Sequence, residues 1–154
     1  MTAMPRLLIV HHTPSPATAE LLAEVRRGAS DPEITGVEVS ARAALAATAS
    51  DLLACDAVLL GTPANIGYMS GALKHFFDQV FYVCGDDTAN LPYGLWVHGG
   101  SDTAGAVRAV TAIADGMGWA AAAAPVTITG APDATARQAC WELGATVAAG
   151  IMDS

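Results

Sequence analysis

Leu7-Leu8-Ile9-Val10-His11-His12-Thr13-Pro14-Ser15-Pro16-Ala17-Thr18 passes from four consecutive aliphatic residues, through a loop of prolines and hydroxyls, into a helical pattern marked by Leu21, Leu22 and Val25. An unbroken aliphatic run of this length reads as a parallel strand covered on both faces. Similar runs follow at Ala57-Val58-Leu59-Leu60, Leu95-Trp96-Val97 and Val126-Thr127-Ile128, whereas Val37-Glu38-Val39 alternates and reads as an edge strand. Helical spacing separates them. Leu73, Phe76, Phe77, Val80 and Phe81 keep the i, i+3, i+4, i+7 rule of a third helix, and Val107, Val110, Ala114 and Met117 mark a fourth. Ala136, Cys140, Leu143, Val147 and Ile151 mark a fifth behind the cap Pro132-Asp133. A weak, alanine-rich second helix is expected from Ala41 to Ala49, after a turn of little more than Ser40-Ala41.

Strand and helix thus alternate, without internal repeat or linker, through a single domain over residues 1–154. Right-handed crossovers and two faces to cover leave a doubly wound α/β fold: a five-stranded parallel sheet in the order 2-1-3-4-5. Its ligand crevice lies at the carboxyl ends of strands one and three, where the winding reverses. Trp96, inside a strand, is expected in the core, and His75, beside Lys74, on the solvent side of its helix.

Composition narrows the function. The chain of 154 residues is 53% apolar with a formal net charge of −8, which repels phosphate backbones and anionic lipid, so nucleic acid and membrane are not expected partners. Its longest apolar runs, such as Leu7 to Val10, are far shorter than the roughly 20 residues that span a bilayer. The start of the chain has no secretory pattern, and a cytoplasmic location is expected. Three cysteines, Cys55, Cys84 and Cys140, lie in or beside apolar stretches without a CxxC pair and are expected reduced.

The loops after strands one, three and four hold the Gly, Pro and hydroxyl residues. In the first, Thr13, Ser15 and Thr18 stand before a helix whose free N–H groups and positive end suit a phosphate; the same hydroxyls equally suit a helix cap. Without Lys or Arg there, a phosphomonoester fits better than a triphosphate, and neither GxxxxGK[ST] nor GxGxxG is present.

Thr13-Pro14-Ser15-Pro16-Ala17-Thr18 resembles the phosphate loop of the flavodoxin-like superfamily, with Pro16 where that loop usually has Gly. The stretch from Gly61 to Lys74, followed by Phe77-Asp78-Gln79, resembles the corresponding segment of NAD(P)H-dependent FMN reductases and quinone reductases, with Thr62, Pro63, Gly67, Met69, Gly71 and Asp78 in place. Leu91 to Val97 and Gly116-Met117-Gly118 are similar to that group as well. The resemblance implies a flavodoxin-like fold with FMN as cofactor. The phosphate would lie on Thr13, Ser15, Ala17 and Thr18, and the ring edge against Thr62, Pro63, Ala64, Asn65, Ile66, Gly67 and Tyr68. His98, Gly99, Gly100 and Asp102 would close the pyrimidine side. A flavin carries the redox reactivity itself, so no nucleophile-base pair is needed. His11 and His12 also end a strand at the crevice, as linings or ordinary strand ends; Asp102 either caps the fourth helix or touches ribityl hydroxyls.

The leading expectation is an FMN-dependent oxidoreductase that passes electrons from NAD(P)H to a quinone or another small acceptor, in a crevice that a second copy of the chain often walls in the reductases it resembles. The −8 charge keeps open a second reading, a flavodoxin-type electron shuttle docking to a redox protein. Pro14 and Pro16, which lack N–H donors, keep open a third, a binding or regulatory domain that has lost FMN. Other uses of the topology lack their residues. A receiver domain needs acidic groups where His11-His12 and Gly61 stand, a small phosphatase needs Cys and Arg in the first loop, and Gly99-Gly100-Ser101-Asp102-Thr103 is not a GxSxG elbow.

Overall fold

The computed structural model describes residues 4–152. Each aliphatic run becomes a strand because its side chains alternate between two helix-covered faces. In β1 (Arg6–His11), Leu7 and Ile9 enter one core layer while Leu8 and Val10 enter the other. β3 (Ala57–Asn65) divides its residues in the same way. The order continues with α1 (Pro16–Ala29), β2 (Glu38–Ala43) and α2 (Ala49–Leu53) before β3. β4 (Tyr68–Met69), α3 (Gly71–Cys84), β5 (Pro92–Gly99), α4 (Ala104–Gly116), β6 (Ala120–Ala121), β7 (Val126–Thr129) and α5 (Ala134–Gly150) follow it.

The sheet runs β2-β1-β3-β5, with β6 and then β7 parallel to β5 as its outer strand and β4 antiparallel to the end of β3. With β6 and β7 taken as two halves of one strand, this is the expected doubly wound order. Phe76 and Phe77 of α3 are fully buried beside Leu60 and Val110 in the layer under α3 and α4, and burying each stabilises the fold by about 3 kcal/mol. The opposite layer holds Leu21 and Val25 of α1, Trp96, and Cys140, Leu143 and Val147 of α5. There α1 and α5 approach so closely that a Cβ built on Gly144 would lie 2.1 Å from the Val25 carbonyl oxygen, and one on Gly28 1.9 Å from that of Trp141. Trp96 is buried and His75 exposed.

Two local expectations are corrected. The expected turn at Ser40-Ala41 and the helix from Ala41 to Ala49 are replaced by strand to Ala43, in register with β1 from Arg6↔Glu38 to His11↔Ala43. Alanine's helix preference amounts to tenths of a kcal/mol per residue and yields to a ladder of hydrogen bonds. Helix begins only at Ala49, where Thr48 and Asp51 close a reciprocal capping box at 3.1 and 2.9 Å. The fifth strand is interrupted: three steps along β5 from Tyr93 to Trp96 face five along the outer strand from Ala121 to Val126. The surplus residues bulge out ahead of Pro125, which has no N–H to give to a ladder. The outer edge is therefore less covered than its apolar run implied, and only Ile128 of β7 is buried.

Candidate functional site

The carboxyl ends of β1, β3 and β5 bring the three loops to one edge of the sheet. His11 stands in register with Gly61, and Pro63 with His98. After β1, Ser15 caps α1. Its hydroxyl accepts the Thr18 N–H at 3.2 Å, and the Thr18 hydroxyl accepts the Ser15 N–H at 3.0 Å while donating to the Ser15 carbonyl at 2.9 Å. Thr18 is buried, so it shapes the loop from within. The Ser15 hydroxyl, 2.9 Å from that of Thr18, is half-buried and keeps a proton that can turn outward without breaking the cap. Among the described residues the Ala17 N–H has no partner, as expected of the first helical turn. Thr13 completes the loop with its Oγ1 3.2 Å from His11 Nδ1.

After β3 the chain reverses through Asn65-Ile66-Gly67-Tyr68. Ile66 (φ 50°) and Gly67 (φ 71°) both lie in the left-handed region, as a two-residue hairpin with the twist of its strands requires. The Thr62 hydroxyl donates to the Pro63 carbonyl at 2.8 Å and accepts the Ser70 N–H at 3.0 Å, while Ser70 caps α3 through the Leu73 N–H. Thr62 is therefore a buried brace of the hairpin. Ala64 is half-buried, and Asn65, Ile66, Gly67 and Tyr68 are exposed at the tip. From the other side Gly105 of α4 supports the turn: a Cβ there would stand 2.0 Å from the Gly67 carbonyl oxygen. Gly105 is the residue that the sequence reading passed over; the available signal was a small residue opening a helix behind a glycine loop.

Ile66 is wholly exposed in a conformation that penalises β-branched residues. Ile66→Asn is expected to stabilise the chain by about 1 kcal/mol, by relieving that strain with no packing lost. A urea midpoint that rises with an unchanged slope is the expected result; an unchanged or lower midpoint contradicts it.

After β5, His98 Nε2 lies 2.7 Å from the Gly130 carbonyl oxygen. A carbonyl only accepts, so Nε2 carries the proton and Nδ1 is left as the free face. Asp102 Oδ1 accepts the Ala104 N–H at 2.9 Å at the start of α4, while Thr103 makes no side-chain cap. Of the two roles open for Asp102, this geometry shows the capping one. Gly99 lets Ala64 and Thr103 close in beneath the loop, and Gly100 faces open space.

Burial pushes the thiols of Cys55 and Cys140 up to about 12, helped by Asp56 and Glu24 respectively, so neither is a ready nucleophile. Among the described residues no group of three His, Cys, Asp or Glu side chains is placed to hold a metal ion, and no helix is long and apolar enough to cross a membrane.

A matching family profile, described as NADPH-dependent FMN reductase, covers residues 17–136. The chain belongs to this family. Membership brings FMN as the expected cofactor of this flavodoxin-like fold; Thr13 and Ser15 precede the matched segment. A flavodoxin of Aquifex aeolicus (strain VF5) is 34% identical over 77 residues, 50% of this chain and 40% of that protein. Among solved structures, a flavodoxin from the domain Archaea shares the fold at a TM-score of 0.81 and 16% identity, over 95% of this chain and 98% of that one. A flavodoxin of Streptococcus pneumonia TIGR4 follows at 0.78 and 18%, over 95% and 99%. A WrbA-like flavodoxin of Agrobacterium tumefaciens stands at 0.73 and 17%, over 95% and 96%.

The donor chemistry of the first loop fits a phosphomonoester. The Ala17 N–H and the hydroxyls of Thr13 and Ser15 stand at the positive end of α1, a 14-residue helix. Pro14 and Pro16 remove two amides, so hydroxyls carry a larger share of the contact than a glycine loop would ask of them.

Proposed function

We propose that the chain takes reducing equivalents from NAD(P)H and delivers them, through FMN in this crevice, to a quinone or another small acceptor. One observation carries the reading. The β3–β4 hairpin presents main chain at the crevice from a turn held by Gly105 on one side and left exposed from Asn65 to Tyr68 on the other. A flavin edge seated there is fixed by the protein yet reachable by small molecules from solvent.

Bound FMN supplies the hydride and electron chemistry. The residues supply position. Thr13, Ser15 and the Ala17 N–H hold the phosphate, and Thr18 keeps Ser15 aimed by closing the cap. Ala64 to Tyr68 set the ring edge above Pro63, which is buried, with Asn65 and Tyr68 as the groups able to hydrogen-bond or stack. His98 and Gly100 border the pyrimidine side above the buried Gly99, with Nδ1 of His98 free of a partner among the described residues.

The net charge of −8 favours a second reading, a shuttle docking to a basic redox protein. Steady-state oxidation of NADH and NADPH by the FMN-loaded protein, with a benzoquinone as acceptor, separates the two. Turnover that needs both FMN and quinone is the expected result. Reduction of the quinone only after a separate reductase has been added overturns the reductase reading and leaves the shuttle.

A further inference from the structure

We infer that His11 is a proton-linked positioning residue of the phosphate subsite, so that the chain takes up a proton on His11 when it binds a flavin phosphomonoester. The inference rests on the FMN reading of the site. Its starting point is the contact of 3.2 Å between Thr13 Oγ1 and His11 Nδ1. If Nδ1 is bare, Thr13 must spend its only proton on the ring, and its oxygen then turns lone pairs toward an incoming phosphate. If Nδ1 is protonated, the ring donates to Thr13 and the hydroxyl proton is free for the phosphate; both the neutral Nδ1–H tautomer and the imidazolium do this, and only the imidazolium also answers the phosphate's charge. In a loop that has lost two amides to Pro14 and Pro16, one hydroxyl donor is a large fraction of the site.

Charge selects the imidazolium. There is no Lys or Arg from His11 to Thr18, so within the loop itself only the helix end and the histidines answer a phosphate dianion. In the free chain the imidazolium is disfavoured: burial lowers His11 below its ordinary value, and Arg26 of α1 and then His12 add to the effect. From the flanking strands, the register partners Ala43 of β2 and Gly61 of β3 bring no charge. The one charged group in the first two turns of α1, Glu20, is taken by Arg137 of α5 at 3.1 Å. A dianion at the loop reverses the balance at His11 and raises its pKa in the complex. The added affinity is fully present below the free-chain pKa and is lost as pH rises through the complex's pKa.

The test is calorimetric titration of the chain with FMN, and separately with riboflavin, in buffers of different ionisation enthalpy between pH 6 and 8. FMN binding is expected to take up as much as about one proton, with affinity changing by up to about tenfold per pH unit inside the window. Riboflavin, which has no phosphate, should take up none. His11→Gln can still donate an amide N–H to Thr13 but cannot titrate, so it should bind FMN without that proton. The phosphate's own ionisation, near pH 6, is common to both proteins, and the difference between them reports His11. His12→Gln should keep the uptake. Imidazole resonances of the wild type, titrated with and without FMN, give the same answer without a variant: one histidine should move to higher pKa with FMN. Equal proton uptake in wild type and His11→Gln, the same uptake with riboflavin, or a His11 resonance whose pKa does not rise with FMN overturns the inference while leaving the FMN reading standing. Failure to bind FMN at any pH removes the reading itself and the inference with it.

Discussion

Gly105→Ala is expected to weaken FMN binding by at least about tenfold, a loss of about 1.4 kcal/mol, while the sheet and its helices persist. The added methyl would sit 2.0 Å from the Gly67 carbonyl oxygen and 2.7 Å from its carbon. These are backbone atoms that no rotamer change can move aside. The hairpin must lift or α4 must retreat, and either shift displaces the Asn65–Tyr68 tip that we propose to hold the ring edge. Gly71→Ala is the control, because a methyl there meets nothing within 4 Å. Fluorescence titration with far-UV circular dichroism on both variants decides the matter. Equal affinity for Gly105→Ala and wild type would mean that the hairpin does not position the flavin.

Gly144→Val should have the largest effect on stability, about 3 kcal/mol, or a fall in Tm of roughly 6–12 °C for a chain of this size. Helices α1 and α5 touch along backbone at this point. A Cβ on Gly144 would meet the Val25 carbonyl oxygen at 2.1 Å and the Ala29 nitrogen at 3.0 Å. Separating the helices uncovers Leu21, Val25 and Leu143, which seal that face of the sheet. Gly150→Ala, in the last turn of α5 with open space around it, should leave Tm within about 2 °C of wild type. A thermal melt in which both variants behave alike would contradict the close-packed seam.

The elements that were legible in the sequence are those whose pattern states their own burial. Leu7 to Val10 and Leu73 to Phe81 declare a two-faced strand and a one-faced helix, and both stand where expected. The residues from Ser40 to Ala49 were not legible, because alanine carries little preference that a neighbouring strand cannot override. The outer strand was half legible: Val126 to Ile128 read correctly, but a bulge shows only once register with β5 is known. At the candidate site, residue types drew attention to three loops that the fold brings to one edge of the sheet, while hydrogen bonding shows what the hydroxyls do within the chain. Ser15 and Thr13 are half-buried, whereas Thr18 and Thr62 are buried and brace the backbone from inside. The support from Gly105 was hidden because it is a contact between two glycine-bearing segments distant in the chain, with no periodicity to announce it.

Titration of dialysed protein with FMN, followed by quenching of flavin fluorescence, asks whether the crevice holds this cofactor, on which the roles of all three loops depend. Saturable one-to-one binding at micromolar concentrations or below, weakened in Gly105→Ala, is the predicted result. No binding up to about 0.1 mM, a free energy weaker than about −5.5 kcal/mol, would contradict it.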